Sequence, residues 1–225
     1  MSPKKAKANS HPARILIVDD HPLVRSGLSE LISDEPTLEV CGEAAEAGEA
    51  LQLVNSTKPD LVVVDISLKS GNGIELIKRI KSRQPKIKML VSSMHDENLY
   101  AQRALNAGAM GYVNKQEATE KVVEAILHVL RGEIFLSPAM RERLLHRLVR
   151  DPNALNQSPV ETLSDRELEV FQQIGTGLTT RQIAKEMHLS AKTIETYREH
   201  IKTKLSIDTA AELSRHAVQW VLENG

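Results

Sequence analysis

The sequence predicts an α/β domain built on a doubly wound, five-stranded parallel sheet, followed by a small all-helical domain. Three observations carry this reading. Short, unbroken, β-branched apolar runs recur in the first half, among them Ile15-Leu16-Ile17-Val18 and Leu61-Val62-Val63-Val64. Such runs suit strands buried on both faces of a parallel sheet. Between them lie stretches with apolar residues three and four apart, the spacing of amphipathic helices, so strand and helix alternate. Beyond Glu161 the strand signal stops and only helical stretches remain.

Taken in order, residues 1–13 carry Lys4, Lys5 and Lys7 but no apolar core, so they read as a disordered basic tail rather than a secretory signal. Strands are expected at 14–19, 38–44, 60–65, 86–92 and 110–114. Ile74, Ile77 and Ile80 mark one helix; Val122, Val123, Ile126, Leu127 and Leu130 mark the last of this domain, with Gly132 as its stop. The α/β domain therefore spans 14–131. Residues 132–161 read as a linker. Its first part, 138–149, has helical character, and 151–159 carries two prolines among polar residues with no period.

In the domain at 162–225, Ser164 precedes Glu167 by three residues, a capping box, and Leu168, Val170, Phe171 and Ile174 follow inward. Gly175-Thr176-Gly177 stops that helix. Thr179 or Thr180 caps the next, with Ile183, Ala184 and Met187 inward. Ser190 caps a third, with Ile194, Tyr197, Ile201 and Leu205 on one stripe. Asp208 caps a fourth, carrying Ala211, Leu213, Val218 and Val221. The tight break at 187–190 between two short helices is a helix-turn-helix pattern.

Composition narrows the function classes. With 41% hydrophobic and 26% charged residues among 225, the chain reads as globular rather than disordered. A single cysteine, Cys41, forms no internal disulfide and no thiol metal cluster, which fits a reducing cytoplasm. No apolar run approaches the roughly 20 residues needed to span a bilayer, so no membrane partner is expected. A net charge of −1 places any nucleic-acid surface in a local patch. Neither G-x-G-x-x-G nor G-x-x-x-x-G-K-[ST] occurs, and acids follow the first strand where a pyrophosphate would need glycines, which argues against a nucleotide-binding enzyme.

The chemistry gathers at one sheet edge. Asp19 and Asp20 end the first strand and Asp65 ends the third, while Ser93 and Lys115 close the fourth and fifth. In open parallel sheets, ligands bind outside these carboxyl ends. Three neighbouring carboxylates stay ionised together only beside a cation. Their hard oxygens suit Mg²⁺, which favours few carboxylates, several waters and a phosphate oxygen. A carboxylate held there can attack a phosphoryl donor and become an acyl phosphate. The ammonium of Lys115 and the hydroxyl of Ser93 stand where they can meet the transferred group. His21 and His95 flank the pocket as polar rim residues.

These residues resemble the receiver domain of two-component response regulators. The resemblance rests on Asp19-Asp20-His21-Pro22-Leu23-Val24-Arg25-Ser26-Gly27-Leu28, Val64-Asp65-Ile66-Ser67-Leu68, Gly71-Asn72-Gly73, Ser92-Ser93-Met94-His95-Asp96 and Gly108-Ala109-Met110-Gly111-Tyr112-Val113-Asn114-Lys115. It implies a flavodoxin-like fold, with Asp65 as phosphoacceptor from a histidine kinase. It further implies Mg²⁺ held by Asp20 directly, by Asp19 through water and by the Ser67 carbonyl, alongside Asp65. Ser93 and Lys115 would sense the phosphoryl group and Tyr112 would be the switch that follows Ser93. Two positions depart from the pattern: Gln116 follows Lys115 and Lys69 follows Leu68, where proline is common.

The second domain resembles the LuxR-type DNA-binding domain, through Thr162–Val170, Gly177-Leu178-Thr179-Thr180-Arg181-Gln182-Ile183-Ala184 and Leu189-Ser190-Ala191-Lys192-Thr193-Ile194-Glu195-Thr196-Tyr197-Arg198. Together the halves resemble response regulators of the NarL/FixJ type. By that likeness residues 190–204 form the recognition helix for double-stranded promoter DNA. Lys192, Thr193, Arg198 and Lys202 are expected on phosphates and backbone, and Glu195 and Thr196 at base edges. Glu199 is expected to pair with Lys202 on the surface. Four cations (Lys192, Arg198, Lys202, Lys204) against Glu195 and Glu199 leave this helix a net charge of +2. That predicts weak DNA binding by a monomer and a gain on dimerisation. The last helix, with Leu213, Val218, Trp220 and Val221, is the expected dimer face, Trp220 alternatively capping the core. The expected function is a phosphorylation-controlled, homodimeric transcription regulator of the cytoplasm, not a metabolic enzyme. The alternative is a DNA-binding regulator whose receiver serves only dimerisation or partner binding. The resemblance also implies that a receiver can shield the recognition helix until phosphorylated.

Overall fold

The computed structural model describes residues 11–69, 71–116, 120–150 and 159–224. The expected tail up to residue 10 and the linker core at 151–158 lie outside these. The first domain runs β1 (Ala13–Val18), α1 (Pro22–Ser33), β2 (Leu38–Ala44), α2 (Ala47–Thr57), β3 (Leu61–Val64), α3 (Gly73–Arg83), β4 (Lys88–Ser93), α4 (Glu97–Ala107), β5 (Gly111–Asn114) and α5 (Glu120–Leu130). The strands form one five-stranded sheet in the order β2-β1-β3-β4-β5, all pairs parallel. β1 and β4 reach one residue beyond expectation at one end, and β3 and β5 are shorter.

The buried runs explain the layering. Side chains alternate across a strand, so one run feeds two cores. Ile15, Ile17, Leu61, Val63, Leu90 and Val113 pack with Leu28 and Ile32 of α1 and Val122, Ile126 and Val129 of α5. Leu16, Val18, Val62, Val64, Met89 and Val91 face α2, α3 and α4. All of these strand residues are 0–1% exposed. The carboxyl ends of β1, β3, β4 and β5 thereby come to one edge, fixed by backbone bonds from Asp65 N–H to the Val18 carbonyl (2.8 Å) and from Lys115 N–H to the Ser93 carbonyl (2.9 Å).

Helix α6 (Pro138–Arg150) follows α5 in the chain and touches α4, and a 3-10 turn at Pro159–Thr162 leads into the second domain. There α7 (Asp165–Gly175), α8 (Thr180–Glu186), α9 (Ala191–Leu205) and α10 (Ala210–Asn224) follow. Ser164 and Thr179 each form a full capping box, with Glu167 and Gln182, and Ser190 accepts from the Thr193 N–H. Asp208 does not cap α10. Its place is taken by Thr209, whose Oγ1 accepts from Glu212 N–H at 3.1 Å, because the helix starts two residues later than the first cap-like residue. Gly175 serves packing as well as termination: a Cβ there would lie 2.5 Å from the Ala217 carbonyl of α10. Leu213 is fully buried and belongs to the core rather than to a dimer face. The Trp220 ring lies 5.6 Å from Phe171, on that same core, while Val218 and Leu222 stand exposed on α10.

Gly73 opens α3 where the chain passes behind the third strand's end; a Cβ there would sit 2.0 Å from the Asp65 carbonyl oxygen. Backbone cannot move aside as a flexible side chain can, so Gly73→Ala is expected to cost about 3 kcal/mol of stability, measured as a lowered urea midpoint with unchanged slope.

Candidate functional site

The sheet edge brings together every residue expected there. The Lys115 ammonium lies 2.5 Å from Asp19 Oδ2 and 2.6 Å from Asp65 Oδ2. Asp19 and Asp65 are 1% and 4% exposed, so all three charges share a nearly dry space. Burial pushes the Asp65 carboxyl above its ordinary range, more than the adjacent ammonium lowers it. Burial presses Lys115 downward, but Asp65 and Asp19 overcome this and hold its ammonium charged. Asp19 is oriented by the His21 N–H, which donates to its Oδ1 at 2.9 Å, and by Arg25, which grips its backbone carbonyl at 2.6 Å.

Asp20 differs from its neighbours. Its Oδ1 is buried yet engages in no hydrogen bond, although His21 Nδ1 lies 2.7 Å away. Ligand atoms of Asp19, Asp20, His21 and Asp65 fall within 4.8 Å of one another. A buried carboxylate oxygen that makes no hydrogen bond and faces one imidazole nitrogen, beside two more carboxylates, is a donor set that suits a hard cation. The Ser67 N–H points back to Asp65 Oδ1 at 3.4 Å.

Ser93 is fully buried at the end of β4. Its Oγ accepts from the His95 N–H at 3.4 Å. Tyr112, on the edge strand β5, is 1% exposed, and its hydroxyl donates to the His95 carbonyl at 2.7 Å. Burial raises its pKa far above the phenol range, so it remains a donor. Gln116 anchors its N–H on Asn114 Oδ1 at 2.9 Å, one local tie in the loop where the family pattern has proline.

One layer was not expected from the sequence. The second domain docks on α3 and α4 through α7. Asp165, 7% exposed, receives Lys78 at 3.2 Å and Arg103 at 3.1 Å. Arg103 also donates to the Leu163 carbonyl at 2.8 Å. Tyr100 of α4, fully buried, donates its hydroxyl to Gln172 Oε1 at 2.7 Å, and Arg166 donates to the Gly71 carbonyl. In the sequence Asp165 reads as a helix-start acid and Tyr100 as a helix core residue. Only an acid and an aromatic on facing elements hinted at more, and spacing cannot pair them.

The expected recognition helix is α9. Lys192, Glu195 and Thr196 are exposed; Thr193, Arg198 and Lys202 are half-buried. Glu195 Oε1 accepts from Thr180 at 2.7 Å and its other oxygen is 3.8 Å from Arg198 Nε. Lys202 pairs with Glu199 at 2.9 Å, as the sequence predicts. Thr193 Oγ1 is 2.8 Å from the capping Ser190 hydroxyl, and Thr196 returns its hydroxyl to the Lys192 carbonyl. Lys204 turns away to Glu167 at 2.6 Å. The receiver thus grips α7 and leaves the outer face of α9 open.

Residues 15–127 match the response regulator receiver domain family, and residues 161–217 match the bacterial regulatory proteins of the luxR family. The response regulator GacA of Pseudomonas aeruginosa is 34% identical over 92% of this chain and 95% of its own length. The oxygen regulatory protein NreC of Staphylococcus carnosus is 33% identical over 92% and 97%. Among solved structures, a LuxR-family two-component response regulator from Aurantimonas sp. SI85-9A1 is 39% identical, covering 62% of this chain and 99% of its own, with a TM-score of 0.58. RcsB from Salmonella enterica serovar Typhimurium, solved on promoter rprA with the phosphomimetic BeF3-, shares the fold at 24% identity, a TM-score of 0.61 and coverage of 92% and 99%. A receiver sheet with its acidic edge and a helix-turn-helix domain, both matched along nearly the whole chain, make this protein a member of the response regulators that join a receiver to a LuxR-type DNA-binding domain.

Proposed function

We propose that Asp65 accepts a phosphoryl group from a histidine kinase and that this modification controls dimerisation, promoter binding and transcription. The observation that carries the reading is the Lys115 ammonium held between Asp19 and Asp65 beside the unsatisfied oxygen of Asp20. An Asp65 oxygen attacks phosphorus, the bond from phosphorus to the kinase imidazole breaks, and its electron pair returns to the ring nitrogen. Asp20 directly, Asp19 through water, the Ser67 carbonyl and Asp65 would hold Mg²⁺, which supplies neutralisation of the transferred oxygens when bound. Lys115 shares that task and Ser93 donates a hydroxyl to the new phosphoryl group. Tyr112 then follows Ser93 as the switch.

Downstream, α9 enters the major groove of double-stranded DNA. Lys192, Thr193, Arg198 and Lys202 serve phosphates and backbone, and Glu195 and Thr196 face base edges. The helix carries a modest net charge, so a homodimer joined through the exposed Val218 and Leu222 of α10 gives useful affinity. Promoter binding sets the compartment as the cytoplasm. The domain limits we adopt are 14–131 for the receiver, 132–161 for the linker and 162–225 for the DNA-binding domain. One observation favours a second reading, phosphorylation-independent DNA binding: the outer face of α9 is open with Asp65 unmodified. Equal operator affinity with and without phosphodonor would select it.

Incubation with a small phosphodonor and Mg²⁺ should add one phosphoryl mass to the protein and none to Asp65→Asn. An Asp65→Asn variant with an unchanged adduct would defeat the assignment. Asp20→Asn removes one of three crowded carboxylates. It should raise stability by about 1 kcal/mol without divalent ions, and thermal melts should show that it loses the further gain Mg²⁺ gives the native chain. Lys192→Ala should weaken binding to all DNA sequences alike and reduce the salt slope by about 1, read from titrations at several salt concentrations.

A further inference from the structure

His95 touches three parts of the molecule. Its Nε2 lies 2.9 Å from the Ser67 hydroxyl, two residues beyond Asp65. Its carbonyl accepts the Tyr112 hydroxyl at 2.7 Å. Its ring stacks on Tyr100 with centroids 4.6 Å apart and a tilt of 31°. Tyr100 in turn donates to Gln172 of α7 at 2.7 Å, across the domain boundary. Counted from the pocket, the path Asp65 loop, His95, Tyr100, Gln172 takes three side-chain contacts to reach the DNA-binding domain.

We propose that His95 is the positioning residue through which modification of Asp65 loosens the grip of α4 on α7. The proposal rests on Asp65 as phosphoacceptor and extends it to a second, interdomain step. Ser93 now accepts from the His95 N–H. A phosphoryl group drawing the Ser93 hydroxyl toward Asp65 reorganises the segment 93–95, and the His95 ring cannot then keep both Ser67 and Tyr100. Tyr100 is packed without exposure, so a displaced neighbour changes its hydroxyl direction and with it the bond to Gln172. The Asp165 clamp with Lys78 and Arg103 and the Arg166 bond to the Gly71 carbonyl then hold α7 without Tyr100, and the partly exposed cations of the clamp hold weakly against water and salt. The differential contact is thus at α7, not at α9, which explains how a receiver that leaves the recognition face open can still govern the second domain: it fixes orientation, which two linked DNA-binding domains need for paired half-sites.

The test is hydrogen exchange of α4 and α7 in the full chain, with and without phosphodonor and Mg²⁺, alongside the phosphoryl adduct by mass. Native protein should show exchange at α7 rising about fivefold or more on modification, the lower range of ordinary allosteric coupling. His95→Ala should take the phosphoryl group normally yet lose that response. His95→Gln, which still reaches Ser67 with an amide, should recover part of it. Tyr100→Phe should leave α7 exchanging fast before modification. Normal modification together with a native response in His95→Ala would overturn the coupling role. No adduct on the native chain would instead overturn the phosphoacceptor reading and the proposal with it.

Discussion

A single buried ammonium shared by two carboxylates organises the receiver. Lys115 ends the fifth strand, Asp19 ends the first and Asp65 the third, and their meeting depends on the sheet order that sets β3 between β1 and β4 with β5 beyond. Burial makes this arrangement costly: charges without water need partners, and the balance here is one cation for three acids. The protein leaves that balance unfinished at Asp20, whose buried oxygen receives no hydrogen bond. An incomplete charge set is how a site stays ready for a divalent ion and a phosphoryl group instead of closing on itself.

The same crowding explains why the loop after β4 is sensitive. Ser93, His95 and Tyr112 are joined by two hydrogen bonds in which the loop backbone takes part, so none moves alone. Tyr112 sits on an edge strand, where an aromatic usually packs half-exposed, yet it is sealed. It lies in the same apolar cluster as Tyr100, Ala101 and Ala104 of α4. Reorganisation near Asp65 therefore has a defined outlet toward α4, the helix on which the second domain rests.

The interdomain contact mixes apolar and charged components. Tyr100 and the buried face of α7 continue the core of the receiver's α2–α4 side into the helical domain, while Asp165 is clamped by Lys78 and Arg103. The apolar part gives adhesion; the charged part fixes the angle at which α7 lies. Because Arg103 also holds the Leu163 carbonyl, it pins the entry to α7 as well as its first turn.

Much of this was legible in residues alone. Unbroken apolar runs dictate strands buried on both faces, so the five strands, their carboxyl-end acids and the caps at Ser164, Thr179 and Ser190 all follow from local patterns. Those patterns act within a few residues and need no knowledge of the rest. The cap of α10 shows their limit: Asp208 is by type the better cap residue, yet Thr209 holds the position. Leu213 and Trp220 show another, since an apolar stripe says that a face is buried but not against what. The partnership of His95 with Ser67 and Tyr100, and of Tyr100 with Gln172 72 residues away, belongs wholly to tertiary structure. Covalent sequence sets which groups a strand end carries; only the folded chain decides which distant groups close around them, because burial and hydrogen bonding reward contacts that sequence spacing does not encode.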